Sequence, residues 1–253
     1  MKIVHLCILI SLFLACGKDV KKSSTAKVQN VSAIYSSSIL SIKVFYEDGA
    51  EPYVGGTIVL KYWELLQKNL EALFQGRSSA PSLSIPKELN EMTKISPFFK
   101  ASWSLQEVLS AANTLSVPST PGTTTFKIIF VNGISDQGAG VIGYSVNGEN
   151  LIVIFKDVVK STSVSGNSIV PNYVEQSTLI HEMGHALGLV NNGLPMINPH
   201  QDSAHGAHCS NPNCVMYYAN EGLSSMRNFA QSAATNFSVV MFDQQCLDDS
   251  RQY

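Results

Sequence analysis

Near position 180 an apolar, helix-forming run carries the stretch His181-Glu182-Met183-Gly184-His185-Ala186-Leu187-Gly188, which sets two imidazoles and a carboxylate where a buried helix should be apolar. Histidines four apart stand one turn above the other on one helix face, so both rings can reach a single point with the intervening acid beside it. This is the pattern of a zinc hydrolase, with His181 and His185 as ligands and Glu182 as the unbound acid. Three fixed residues in five also recur by accident, and a satisfied helix histidine is the simpler alternative. Context favours the metal: of six histidines all but His5 fall between positions 181 and 208, namely His181, His185, His200, His205 and His208.

The chain has 253 residues, is 45% hydrophobic and 14% charged, and carries a formal charge of −2, as expected of one globular domain or a domain in two lobes. No lysine-arginine stripe exists outside Lys18, Lys21, Lys22 and Lys27, which excludes a nucleic-acid partner. A basic start at Lys2 and an apolar run from Ile3 to Ala15, too short to span a bilayer comfortably, read as an export signal over residues 1–15. Leu14-Ala15-Cys16-Gly17 resembles the lipobox of bacterial lipoproteins, which implies lipidation at Cys16 and attachment to the cell envelope. An ordinary secretory signal cut elsewhere is the alternative, and either way the protein is exported. Residues 16–38, rich in serine and lysine, read as a tether, with the folded domain over 39–253.

Export into an oxidising compartment leaves Cys209, Cys214 and Cys246. Cys209 and Cys214 are near enough for a small disulfide-closed loop with Cys246 left over, although spacing alone does not fix the pairing.

Taken in order, Ile39 to Tyr46 predicts a strand. Ile58, Tyr62, Leu65, Leu66, Leu70, Leu73 and Phe74 predict a long amphipathic helix ending at Gly76. One short helix is expected after Pro86. Ser104 and Glu107 have capping-box spacing for a helix stopped before Pro118. Thr125 to Val131 is dense enough in apolar residues to be a central strand. Gly138 to Ser145 and Leu151 to Phe155, divided by Asn147-Gly148, predict a pair of strands whose first member, thin in side chains, suits a sheet edge. Asn172 is the expected N-cap of the histidine helix, with Glu175 three residues on, and Gly188 its turn. From Ser224 a single closing helix is expected through Met226, Phe229, Ala230, Ala233, Phe237, Val240 and Met241. Strands, helices and a helix under the sheet make an α+β pattern.

After Gly188 a third histidine would fall at position 191, which is Asn191, read as a turn-former with Asn192-Gly193. Downstream lies His208-Cys209-Ser210-Asn211-Pro212-Asn213-Cys214-Val215-Met216. With the helix motif this resembles the metzincin clan of zinc metallopeptidases, and most the archaemetzincins, in which the third histidine runs straight into Cys-x4-Cys-x-Met. The motif looks split here by an insertion, Asn191 to Ala207. The resemblance covers roughly residues 125 to 218. It implies a two-lobed fold with a twisted mixed sheet, a long backing helix and an active-site helix (upper lobe 39–190), and a small lower lobe (191–253) with a Met-turn and a final helix. It implies one catalytic zinc on His181, His185 and His208, Glu182 as general base, Met216 as the Met-turn and Tyr218 as a stabiliser of the tetrahedral intermediate. His205 is the rival third ligand, and His200 reads as a solvated loop residue. The later Cys-x-x-Cys pair of that family is absent, which speaks against its second, structural zinc and for a disulfide.

The leading expectation is a monomeric, membrane-anchored metalloendopeptidase with a peptide laid along Gly140 to Ser145. A zinc-binding lipoprotein without turnover, and a zinc amidase acting on another amide, use the same residues.

Overall fold

A computed structural model describes residues 30–57, 60–163 and 169–253. The export signal, Cys16 and most of the tether, like Ile58 of the long helix, lie outside the described residues. A short helix, α1 (Val31–Tyr35), is capped by the Asn30 side chain and buries Val31, Ile34 and Tyr35. The stretch read as tether therefore ends in folded chain, with Val31 seated against Gly188 and the Tyr35 ring packed on Tyr253.

Strand β1 (Ile39–Glu47) leads to helix α2 (Tyr62–Phe74), whose apolar face is buried against the histidine helix and the last helix. Three short strands follow, β2 (Ser82–Ser84), β3 (Thr93–Ile95) and β4 (Ser102–Trp103), with one turn of 3-10 helix at Leu89–Glu91. Helix α3 (Leu105–Thr114) starts at the expected capping box: the Glu107 carboxylate accepts from the Ser104 backbone N–H at 2.8 Å and the Ser104 hydroxyl accepts from the Glu107 N–H at 3.4 Å. Next come β5 (Thr123–Val131), β6 (Ile134–Ser135), β7 (Gly143–Val146) and β8 (Leu151–Phe155). The main sheet runs β2-β1-β5-β8-β7, with β3 also on β1, and β4 pairs with β6 apart from it. All its pairs are parallel except β7 with β8, so the fold is mixed α/β on a mostly parallel sheet, more parallel than the α+β reading anticipated. Parallel strands are covered on both faces. All five side chains of β8 are buried, each contributing about 1.5–3 kcal/mol if fully withdrawn from water. β5 is central and β7 is the edge, as expected.

Helix α4 (Lys156–Ser161) follows directly on β8, and α5 (Ile169–Ala186) carries the histidines. α5 is already helical at Ile169, so Asn172 lies inside it rather than at its cap; Pro171 sits near the start, where a missing N–H is tolerated. The helix is buried almost all round, and its Glu175 pairs with Lys156 in the core while accepting from the Tyr53 backbone N–H at 2.7 Å. Two hydrogen bonds end it in a Schellman turn: Gly188 N–H to the His185 carbonyl and Leu189 N–H to the Gly184 carbonyl, both 3.0 Å, with Gly188 at φ +84°.

The closing helix expected after Ser224 is two helices. α6 (Leu223–Thr235) stops where Phe237 turns to φ +52° with its ring largely in solvent, and α7 (Gln244–Gln252) begins under an Asp243 cap. Among the described residues no helix is long and apolar enough to cross a membrane.

Candidate metal centres

Three imidazoles meet where α5 faces the loop before Met216. His185 Nε2 lies 3.1 Å from His181 Nε2 and 3.2 Å from His208 Nε2. Tetrahedral zinc with bonds of about 2.0–2.1 Å sets its nitrogen ligands about 3.3 Å apart, so the spacing fits. The tautomers fit too. His181 Nδ1 stands 2.7 Å from the Val215 carbonyl and His208 Nδ1 2.6 Å from the His205 carbonyl; a carbonyl only accepts, so both Nδ1 atoms carry the proton and both Nε2 lone pairs face inward. Burial pushes His181 down to about 4, which keeps it neutral and able to bind a cation.

His208 rather than His205 joins the pair. His205 is bound to Asp202 at 2.7 Å and its ring stacks on Tyr218 with centroids 3.6 Å apart. Tyr218 is thereby held against His205. Asn191, at φ +60°, reaches Gln201 and stands outside the cluster. Glu182 points to the other side of the trio, where its carboxylate accepts from the Ser145 backbone N–H on edge strand β7 at 2.8 Å. Burial pushes this carboxyl up to about 8, against the pull of that N–H. Met216 is fully buried, and a Cβ on Gly184 would stand 2.4 Å from its sulfur, so glycine at 184 lets the methionine seat against α5 where a larger residue would make it shift.

Glu221, which nothing in the sequence marked, completes a four-residue group. It ends a turn of 3-10 helix at Tyr218–Glu221, and its Oε1 lies 3.1 Å from His208 Nε2.

A second group lies nearby, in which His200, Cys209, Asp243 and Cys246 offer ligand atoms all within 4.8 Å of one another and Cys214 adjoins Cys246, and here two expectations fail. Cys209, Cys214 and Cys246 are all buried free thiols, so the Cys209–Cys214 disulfide is absent. His200 is buried, not solvated: its Nδ1 lies 3.4 Å from Cys209 Sγ and its Nε2 2.7 Å from Asp249. Cys214 Sγ and Cys246 Sγ are 3.7 Å apart. Tetrahedral zinc with sulfur at about 2.3 Å and nitrogen at about 2.0 Å sets ligands about 3.8 Å (S to S) and 3.5 Å (S to N) apart, matching both distances. Hydrogen bonds from Cys214 and Cys246 hold Cys209 well below the ordinary thiol range, favouring the thiolate that binds metal. α7 does much of the assembly. Asp243 caps it through the Cys246 N–H and lies 3.3 Å from Cys209 Sγ, while Asp249 backs His200. The spacing of Cys209 and Cys214 was legible, but Cys246 and His200 carried no motif.

No protein-family model matches the chain, and no curated protein matches it. Among solved structures it is similar to an archaemetzincin from Methanopyrus kandleri (12% identity, TM-score 0.46, covering 84% of this chain and 94% of that one). It is similar also to a zinc-dependent peptidase from Methanocorpusculum labreanum (11%, 0.48, 83% and 100%) and to an archaemetzincin from Archaeoglobus fulgidus complexed with malonate (16%, 0.41, 82% and 99%). At such identities and TM-scores, function has to be argued from the two centres themselves.

Proposed function

We propose that this chain is a zinc-dependent peptidase of metzincin type, with His181, His185 and His208 holding the catalytic ion. The observation that carries the reading is the meeting of three imidazoles, His185 Nε2 standing 3.1 and 3.2 Å from the Nε2 atoms of His181 and His208, with the carboxylate of Glu182 on the same helix turn held instead by the Ser145 N–H. When bound there, zinc polarises a peptide carbonyl and makes water acidic enough to attack near neutral pH. Glu182 would take the water's proton as its oxygen adds to the carbonyl carbon and return it to the leaving amine as the tetrahedral adduct collapses and the bond to nitrogen breaks, so the carboxylate ends as it began. A buried base raised toward neutrality suits that exchange. An extended peptide adds along the open side of β7, over Gly140 to Ser145. Met216 then serves as the Met-turn within the lower lobe (191–253), beneath the metal that the upper lobe (39–190) helps to hold, and Tyr218 would have to leave His205 to reach the substrate.

We infer a second, structural ion on Cys209, Cys214, Cys246 and His200, which revises the expectation of a single zinc. Lys2 with Ile3–Ala15 and Leu14-Ala15-Cys16-Gly17 supports export and a lipid on Cys16, hence a place on the cell envelope. In an oxidising compartment three thiols this close would pair unless a metal held them, so the two inferences support one another. A binding protein without turnover was attractive while position 191 lacked a histidine; His208 supplies the missing nitrogen. The test is Glu182→Ala with zinc analysis and a peptide-library assay. Full zinc with hydrolysis reduced about 10²–10⁴-fold is expected; full zinc with equal absence of cleavage in both proteins would instead favour the binding role, and cleavage confined to cell-wall amides the amidase.

A further inference from the structure

The peptidase reading leaves one group at the catalytic centre without a task, and that group sits where a water would have to be. Glu221 Oε1 is 3.1 Å from His208 Nε2, and its oxygen together with the Nε2 atoms of the trio all lie within 4.8 Å of one another. An oxygen and a nitrogen bound to the same tetrahedral zinc stand about 3.3 Å apart. The carboxylate is therefore within reach of the fourth corner of an ion held by the three histidines. Unlike the three histidines, which are buried, the Glu221 side chain is 63% exposed, so it reaches the centre from the solvent side and can swing away without opening the core.

The turn that carries it is tied at both ends. Asn220, buried beside it, donates to the carbonyls of Cys214 (3.2 Å) and Val215 (3.1 Å), hanging the turn from the same loop that anchors His181. On the far side Gly222 makes an antiparallel bridge to Val141, two residues before β7, and Leu223 Cβ packs 3.8 Å from the position a Cβ would take on Gly140. The bridge spans the gap between the loop under the metal and the approach to the edge strand, which is the rim where an extended peptide would enter.

We propose that Glu221 is a reversible fourth ligand that masks the catalytic metal, held in place by the Val141–Gly222 bridge, so that the resting protein is latent until a substrate strand on the rim of β7 displaces the turn. The inference rests on the zinc reading of the His181, His185 and His208 trio. Its chemistry is ligand exchange only: the carboxylate leaves the fourth corner as the water or the incoming carbonyl oxygen takes it, and no covalent bond changes. A mask built into the folded chain also explains how the site could be kept quiet without a separate inhibitory segment.

Acetohydroxamate, a small chelator that binds zinc only through open positions, tests the mask without measuring activity. Its affinity for the zinc-loaded full chain is measured by calorimetry for the wild type, Glu221→Gln and Glu221→Asp, with zinc content determined for each. Gln removes the charge, and Asp keeps the charge but draws the oxygen back. Both variants are expected to keep their zinc and to bind the hydroxamate about tenfold more tightly, the gain for a corner masked about nine-tenths of the time. Equal affinity in all three proteins would overturn the mask and leave the peptidase reading standing. Tighter binding in the Gln variant alone would show an effect of charge rather than ligation, and would also overturn it, as would loss of zinc from either variant. No zinc-dependent heat in any of the three would sink the metal site and the mask together.

Discussion

Two histidine-containing clusters, fed by overlapping stretches of chain, are built to opposite specifications. The trio of His181, His185 and His208 uses only neutral nitrogens, leaves Glu182 unligated beside it, and meets solvent through an exposed carboxylate, Glu221. The other cluster gathers three buried thiols and His200, backs that imidazole with a buried Asp249, and is closed over by α7. Neutral ligands and a displaceable fourth position leave a zinc ion its full charge for chemistry; thiolates and a closed shell neutralise it and make it a rivet. The lesson is that ligand type and access, more than the number of ligands, separate a reactive ion from a structural one.

If that division holds, the largest effect on stability should come from the sulfur side. Cys246→Ser is expected to cost one zinc per chain and lower the thermal midpoint by about 10 °C, from a loss of about 3–5 kcal/mol. It would do so because α7, the loop at 209–217 and the segment carrying His200 are joined chiefly there. A midpoint unchanged in the variant would break the comparison. On the nitrogen side the smaller effect is a contrast between neighbours. His208→Ala should lose one zinc with a shift of only a few degrees, whereas His205→Ala, which gives up a stacking contact with Tyr218 and a bond to Asp202, should keep both ions. Metal analysis by mass spectrometry distinguishes the two, and loss of zinc from the His205 variant alone would mean the third ligand has been misassigned.

How far the sequence could lead depended on whether a feature was local. The histidine helix, its glycine turn, the capping box at Ser104 and the strand pair across Asn147-Gly148 are patterns in a few consecutive residues, and all of these elements formed, although the helix begins ahead of Asn172 and the first strand is confined to Gly143–Val146. His208 could be found because it adjoins Cys209, seventeen residues beyond the ordinary place. The second cluster could not, since His200 and Cys246 are ordinary residues until the packing of α7 brings them within reach of Cys209 and Cys214. Glu221 looked like any surface acid for the same reason. Helix α1 escaped notice because five residues in a serine-rich stretch are helical only through the tertiary burial of Val31, Ile34 and Tyr35. At the other end, apolar spacing ran on past Thr235 and suggested one helix, but the left-handed turn at Phe237 divides it. The disulfide expectation failed on the same ground as the missing cluster: the partners of Cys209 and Cys214 are set by a residue more than thirty positions away.

The most direct measurement of the central claim is anomalous diffraction at the zinc edge from crystals of the purified chain. The account requires two peaks, one between the Nε2 atoms of His181, His185 and His208 and the other among Cys209, Cys214, Cys246 and His200. A map with no peak at the imidazole trio, whatever it contained at the thiols, would contradict it.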